Sequence, residues 1–262
     1  MLPAVNAEGI VPPGTQTLAR GLAVVRAVAL GHARLREITG ATGIGRSTAH
    51  RLLQFLVAAG YLRRLPDSSY ALGPALIELG HQALAENPLT AAAAPELGRL
   101  AERVKDTVHL AVEDREQVLY LDKISGTRGA EMRSRVGQRM PLTRTGIGKA
   151  LLLDSRERWR SRFVADRRTV AADGEAADVL DADAFVDVMR VSARRGVAFD
   201  LEENEPGILC VAAPVRDVSG SIVAALSVSA TRPYMPPERV EALVPVVLDT
   251  ARRISAAMGR RP

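Results

Sequence analysis

The sequence predicts an α+β protein of two domains, and three observations carry that expectation. Apolar residues recur at helical spacing up to Val104 and then switch to strand alternation. Charge is segregated: residues 1–73 hold eight Arg, no Lys and three acids (Glu8, Glu37, Asp67), which accounts for the whole net charge of +5, while the remainder is balanced. The 262 residues, 47% hydrophobic and 25% charged, suffice for two cores of ordinary globular composition.

Taken in order, residues 1–14, with Pro3, Pro12 and Pro13, read as a flexible leader. Thr17 is placed to cap a first helix whose Leu18, Leu22, Val25 and Val28 keep helical period, ending near Gly31. Leu35–Thr42 is a short amphipathic helix, and Thr42-Gly43-Ile44 supplies a tight turn. The stretch Gly43–Leu56 then separates into two faces. Ala49, Leu52, Leu53 and Leu56 make a buried stripe, and Arg46, Ser47, His50, Arg51 and Gln54 make a polar face with no acid. Gly60 stops this helix. Tyr61–Leu65, the turn Pro66–Ser69 and Tyr70–Leu72 read as a β-hairpin carrying Arg63 and Arg64.

Two helices, an exposed polar face and a basic hairpin make a winged helix-turn-helix over residues 15–73. All of the excess positive charge sits there, as a polyanionic partner requires. Double-stranded DNA is the expected partner, since an aromatic content of 3% leaves little for stacking on single strands or RNA. Arg46, Ser47, Thr48, His50, Arg51 and Gln54 are expected to reach major-groove edges or phosphates, with Arg63 and Arg64 on the backbone.

Residues 74–87, opened by Leu72-Gly73-Pro74, read as a linker helix with Leu76, Ile77, Leu79, Gly80 and Leu84 on one side, a candidate dimer seam. From 88 to 262 an alanine-rich helix (89–104) leads into strands at 107–112 and 117–122, with a third at 130–136. Thr145–Ala150 is a Gly-rich turn opening a helix to Leu153. Residues 154–178 read as charged and loop-like with one or two short helices, and 183–195 as a helix ended by Gly196. Strands follow at 197–200, 208–215 and 222–230, and a closing helix runs from Pro236 or Pro237 to Met258. The result is a mainly antiparallel sheet flanked by helices.

The residues also set limits on chemistry. One cysteine, Cys210, allows no internal disulfide, and the N-terminus lacks a secretory signal pattern, so the cytoplasm is the expected compartment, with no membrane partner. His32, His50, His81 and His109 have no metal-ligand spacing, and no catalytic signature stands out; neither metal, cofactor nor enzyme activity is expected. The Thr145-Gly146-Ile147-Gly148 turn offers backbone N–H groups suited to a carboxylate, and Ser227 and Ser229 share one strand face.

Gly45-Arg46-Ser47-Thr48-Ala49-His50-Arg51-Leu52-Leu53, Gly60-Tyr61-Leu62 and Tyr70–Pro74, then Val136–Leu142, Thr145–Ala150, Arg195–Asp200 and Gly207–Val215, resemble the IclR family of bacterial transcriptional regulators over nearly the whole chain. The resemblance implies a C-terminal α/β effector-binding (GAF-like) domain at 88–262. It implies a dimer or tetramer on a palindromic operator, and a small-molecule effector, a carboxylic or aromatic acid. It places Gly146, Ile147, Asp200, Cys210, Ser227 and Ser229 in the ligand pocket, with Met132, Met140 and Ile208 as its apolar wall. Thr143 and Gly146 stand where family members often carry His and Ala, and Arg133, Arg135 and Arg144 are candidates to pair an acidic group or to be exposed. The reading is therefore a ligand-responsive regulator, a repressor by preference. The alternatives are an enzyme acting on a small acid, with a basic appendage, and a redox sensor built on Cys210.

Overall fold

A computed structural model describes residues 12–129, 132–172 and 181–259. The chain divides into two compact units, Met1–Glu86 and Asn87–Pro262.

The first unit comprises helices α1 (Gln16–Ala29), α2 (Leu35–Thr42) and α3 (Arg46–Ala58), the hairpin β1 (Leu62–Arg64) and β2 (Tyr70–Leu72), and helix α4 (Pro74–Ala85). Gly43 ends α2 in the left-handed region, φ 67°, and its N–H closes on Thr39 O. Val24, Ile38, Ala49, Leu53 and Leu62 form the core of this unit. The strands pair antiparallel, Arg63 opposite Ala71. Asp67 turns the hairpin by accepting from the N–H and hydroxyl of Ser69.

Three expectations fail here. Thr17 lies inside α1, not at its start; position 15 is the cap and makes no side-chain bond to the helix. The buried face of α1 is Val24, Ala27 and Val28, while Leu18 and Leu22 are exposed. Leu52 is only half-buried and Phe55 is exposed, because α3 turns its Ala49–Leu53–Leu56 edge inward. In α4 no residue is buried, and Ile77 and Leu79 stand exposed. Residues 1–11 of the leader lie outside the described residues.

The second unit is built on a six-stranded antiparallel sheet: β3 (Thr107–Asp114), β4 (Gln117–Ile124), β5 (Arg139–Pro141), β6 (Ala198–Leu201), β7 (Ile208–Arg216) and β8 (Ile222–Thr231), ordered β5-β4-β3-β8-β7-β6. Arg115 and Glu116, both at positive φ, make the tight turn between β3 and β4. Helices α5 (Pro88–Val104) and α9 (Pro237–Ala257) pack on each other and on the central strands. Val211, Ala213 and Val215 alternate with Cys210 and Ala212 along β7, and Cys210 and Ala212 share a core with Ile147 of α6 (Gly146–Leu151). Alternation therefore sends the two sets to opposite faces of the sheet. Helices α7 (Trp159–Ala172) and α8 (Ala182–Arg195) pair beside α6, with Phe163 stacked on Phe185 at 4.8 Å.

The strand expected at 130–136 is absent from 132–136, which runs irregularly; residues 130 and 131 lie outside the described residues. The third strand of that ribbon is β5, at 139–141, held to β4 through Val118 opposite Met140. The stretch 154–178 is more regular than expected, with one helix of 14 residues at 159–172. Trp159 anchors it by burying its ring and donating Nε1–H to Leu152 O.

Candidate functional site

Two groups of residues form candidate sites, one in each unit. On α3, Arg46, Ser47, His50, Arg51 and Gln54 are all exposed and Thr48 is half-buried, so the expected polar face exists as one surface, with Thr48 at its margin. Arg63 and Arg64 are exposed on β1, and Arg64 Nη2 donates to Ser68 Oγ across the hairpin turn at 3.1 Å. No acid occurs in α3. The surface offers guanidinium, hydroxyl, imidazole and amide groups, the set that hydrogen-bonds base edges and phosphates.

The second site lies on the sheet. Antiparallel register sets Asp200 opposite Cys210 and Cys210 opposite Ser229, so three strands contribute one cross-strand row. The next row runs Ala198, Ala212, Ser227, His109 and Lys123. Since side chains two apart share a face, Ser227 and Ser229, and Cys210 and Ala212, all face the same way. Above them lie α6, the segment 132–138 and the loop after β6, bordering a half-open cavity of about 100 Å³. All nine residues expected there (Met132, Met140, Gly146, Ile147, Asp200, Ile208, Cys210, Ser227 and Ser229) line it.

Each wall has a physical reason. The close approach of α6 requires both its glycines. A Cβ on Gly148 would lie 2.2 Å from Leu142 O, and one on Gly146 would lie 3.0 Å from Cys210 Sγ. Thr145 caps α6 by accepting from Gly148 N at 3.0 Å. That N–H is therefore already used, and α6 has only six residues, so the carboxylate cradle expected at this turn is smaller than the sequence suggested. The wall 132–138 hangs on Lys123, whose Nζ donates to Met132 O at 2.7 Å and Ser134 O at 2.8 Å. Ser134 Oγ lies 2.7 Å from His109 Nε2, and Ser227 Oγ lies 3.4 Å from His109 Nδ1.

Burial sets the electrostatics. Desolvation, with the Lys123 charge, pulls the His109 pKa down to about 3, so its imidazole is neutral. Desolvation pushes Asp200 up to about 6 against the opposing pull of Lys149 and of the N–H groups of Glu203 and Asn204. The Cys210 thiol is raised to about 11, mainly by burial and by Asp200, so it stays protonated and unreactive at neutral pH. Burial raises Tyr120 as well; its ring lies 5.1 Å from that of His109.

The sequence reading missed His109, Tyr120, Ser134, Gln138, Asn204 and Glu205, which also line the cavity. It also missed Lys149, fully buried and paired with Glu203. Arg133 is exposed on the rim, 3.8 Å from Glu205, and Arg135 is exposed; Arg144 Nη2 donates to Glu203 O. Thr143 turns away from the cavity: its N–H and hydroxyl both donate to the buried Asp166. Among the described residues no cluster of three or more His, Cys, Asp or Glu could hold a metal ion. No described helix is long and apolar enough to cross a membrane.

Comparison with known proteins covers both units. The profile described as the bacterial transcriptional regulator IclR C-terminal domain matches residues 81–256, and that of the IclR helix-turn-helix domain matches 17–66. The chain is 32% identical to the HTH-type transcriptional regulator KdgR of Escherichia coli over 238 residues, 88% of this chain and 89% of that protein. It is 30% identical to the acetate operon repressor of Salmonella typhimurium, over 93% of this chain and 90% of that one. An IclR homolog of Microbacterium hydrocarbonoxydans, solved in complex with 4-hydroxybenzoate, superposes with a TM-score of 0.75 at 25% identity, covering 93% of this chain and 99% of that structure.

Proposed function

The chain belongs to the IclR family of bacterial transcriptional regulators, and from that membership we propose how its residues divide the work of a ligand-responsive, DNA-binding regulator. Helix α3 enters the major groove with Arg46, Ser47, Thr48, His50, Arg51 and Gln54 toward the bases or their phosphates. Arg63 and Arg64 of the hairpin rest on the backbone. The acid-free exposed face of α3 supports this assignment.

The cavity on the sheet of the second unit takes a small organic acid as effector. The observation that carries this reading is the convergence of hydroxyl, amide and carboxyl groups from three strands, a loop and the 132–138 wall on one small cavity. A relative solved with 4-hydroxybenzoate supports the acid class. The protein acts in the cytoplasm, as a repressor that the effector releases or retunes. It works as a dimer or tetramer on a palindromic operator, where the spacing of two DNA-binding heads sets affinity. The exposed Ile77 and Leu79 of α4 favour self-association.

Selection of duplexes by the full-length chain from a random library tests the DNA half. Recovery of an inverted repeat, bound with a steep loss of affinity as salt rises, is the expected result. Recovery of no preferred duplex would overturn the reading.

A further inference from the structure

The charges of the first unit are sorted by position, and one acid carries a charge that the fold does not require. Residues 15–73 hold eight Arg and two acids, Glu37 and Asp67. Both acids meet the same residue, Arg34, which stands at the N-terminus of α2. Glu37 Oε2 accepts the Arg34 N–H at 3.0 Å, and Asp67 Oδ2 lies 3.6 Å from Arg34 Nη2. Glu37 thereby has a structural use, since a carboxylate in the first turn of a helix satisfies an unbonded N–H and suits the positive end of the dipole.

Asp67 is different. It sits at the tip of the hairpin, between the exposed Pro66 and Ser68, and its Oδ1 closes the turn by accepting the hydroxyl of Ser69 at 2.6 Å and its N–H at 3.2 Å. Those bonds need an acceptor, not a charge; asparagine or serine supplies one in the same kind of turn. The same bonds, the hydroxyl contributing most, hold the carboxyl below the ordinary carboxylate range, so the tip is anionic at neutral pH.

The tip is also joined to the start of α2 by backbone, where Tyr70 N–H donates to Ala33 O at 2.7 Å. Arg64 Nη2 reaches back to Ser68 Oγ, so a second guanidinium ends beside the tip. An acid among these cations acts twice on a phosphate: it repels it and competes with it for Arg34. The side chains of Arg34 and Asp67 are 66% and 56% exposed, and an exposed pair is worth little on its own, so Arg34 leaves readily once Asp67 has no charge.

We propose, on the reading that the hairpin lies on the DNA backbone, that the Asp67 carboxylate limits the grip of the hairpin on phosphates by holding Arg34 out of contact with them. The sequence-independent share of affinity is thereby lowered, while the base-reading face of α3 is left as it is.

Fluorescence anisotropy of the full-length chain on the selected operator and on a scrambled duplex, at about 50 and 200 mM salt, tests it. Asp67→Asn keeps an acceptor for Ser69. It should tighten both duplexes about threefold or more at the lower salt, with the salt dependence steeper by roughly one ion. Asp67→Ser, a second neutral residue that closes such turns, should do the same should the first not fold. Asp67→Glu keeps the charge on a longer arm and should retain the wild-type salt dependence even where its melting temperature falls, which separates charge from turn structure. Arg34→Gln should weaken wild type less than about twofold and should cancel most of the gain in Asp67→Asn. Neutral variants with unchanged affinity and salt dependence, or an Arg34→Gln effect equal in both backgrounds, would overturn the proposal. Equal binding of operator and scrambled duplex by wild type would overturn the sequence-specific reading instead, with the Asp67 comparison still measured on either duplex. Binding of no duplex would overturn both.

Discussion

The Nζ of Lys149 lies 2.6 Å from one carboxylate oxygen of Glu203 and 2.7 Å from the other, and the lysine side chain has no exposure to solvent. Lys149 belongs to α6 and Glu203 to the loop after β6, so this pair fastens two walls of the cavity to each other. The same loop brings Asn204 and Glu205 to the cavity, and the N–H groups of Glu203 and Asn204 hold Asp200. The polar floor therefore depends on a bond between two residues that do not themselves line the cavity.

The two partners are not equivalent, because Glu203 retains 27% of its exposure and Lys149 none. Glu203→Gln leaves an ammonium buried without its counter-charge and should cost about 3 kcal/mol or more. Lys149→Met removes the buried charge with little change in volume and should cost less. Chemical denaturation of the two variants, followed through the single tryptophan, Trp159, measures both. Equal losses would contradict the asymmetry.

Lys123 secures the opposite wall through Met132 O and Ser134 O. Lys123→Met should release both carbonyls and speed amide hydrogen exchange in residues 132–138, with little change in α5 or α9. Lys123→Arg should restore part of the protection. Unchanged exchange in that segment would show that its other bonds, His109 to Ser134 and the backbone bonds of Gly137 and Gln138 with Tyr120, suffice to hold it.

Much of this was legible in the sequence, and the parts that were not share a cause. The exposed face of α3 and the pairing of strands follow from periods of 3.6 and 2. All nine expected pocket residues fall on one cavity because family resemblance carried them, strand by strand. Tyr120 and Lys123 escaped notice because both lie on the cavity side of the sheet although three apart. The register of β3 on β4 shifts between Leu110 and Ala111, which breaks simple alternation. Lys149 escaped because a lysine beside an apolar run reads as a solvated end; its partner lies 54 positions away. The 132–138 wall is irregular, held by side chains at its start and by backbone bonds of Gly137 and Gln138 to Tyr120 at its end, and a strand was expected where local apolar residues suggested one.

His109 gives the second unit an acid-sensitive element. Its pKa is about 3 in the fold against an ordinary 6.5, so below pH 6.5 the unfolded chain takes up a proton that the folded chain refuses. Stability from this group is fully present above pH 6.5 and is lost as pH falls toward 3. Asp200, raised to about 6, works the other way: its contribution falls as pH rises from about 4 to 6. Replacing His109 by Gln removes the first effect only. On going from neutrality to about pH 4.5, wild type should lose roughly 2 kcal/mol more than His109→Gln. Parallel pH–stability curves would contradict a buried neutral imidazole.

On the DNA side, Arg51→Ala should weaken the selected operator by about 1–3 kcal/mol if the guanidinium contacts a base edge in bidentate fashion. It should relax preference at one position of each half-site. Arg64→Ala, on the hairpin, should instead weaken all duplexes alike and reduce the salt dependence by roughly one ion. Fluorescence anisotropy with operator and scrambled duplexes separates the two. Indifference of operator affinity to Arg51→Ala would remove it from the reading face.

The most direct test of the whole account is the operator affinity of the full-length chain, measured by anisotropy with and without saturating L-lactate, glycolate, pyruvate or 4-hydroxybenzoate. At least one acid should shift that affinity about fivefold or more, as a coupling energy of about 1 kcal/mol requires. The shift should vanish in Ser229→Ala at the same acid concentration while its affinity without acid is unchanged. An operator affinity that no acid alters, or a shift that survives loss of the Ser229 hydroxyl undiminished, would contradict a regulator governed through this cavity.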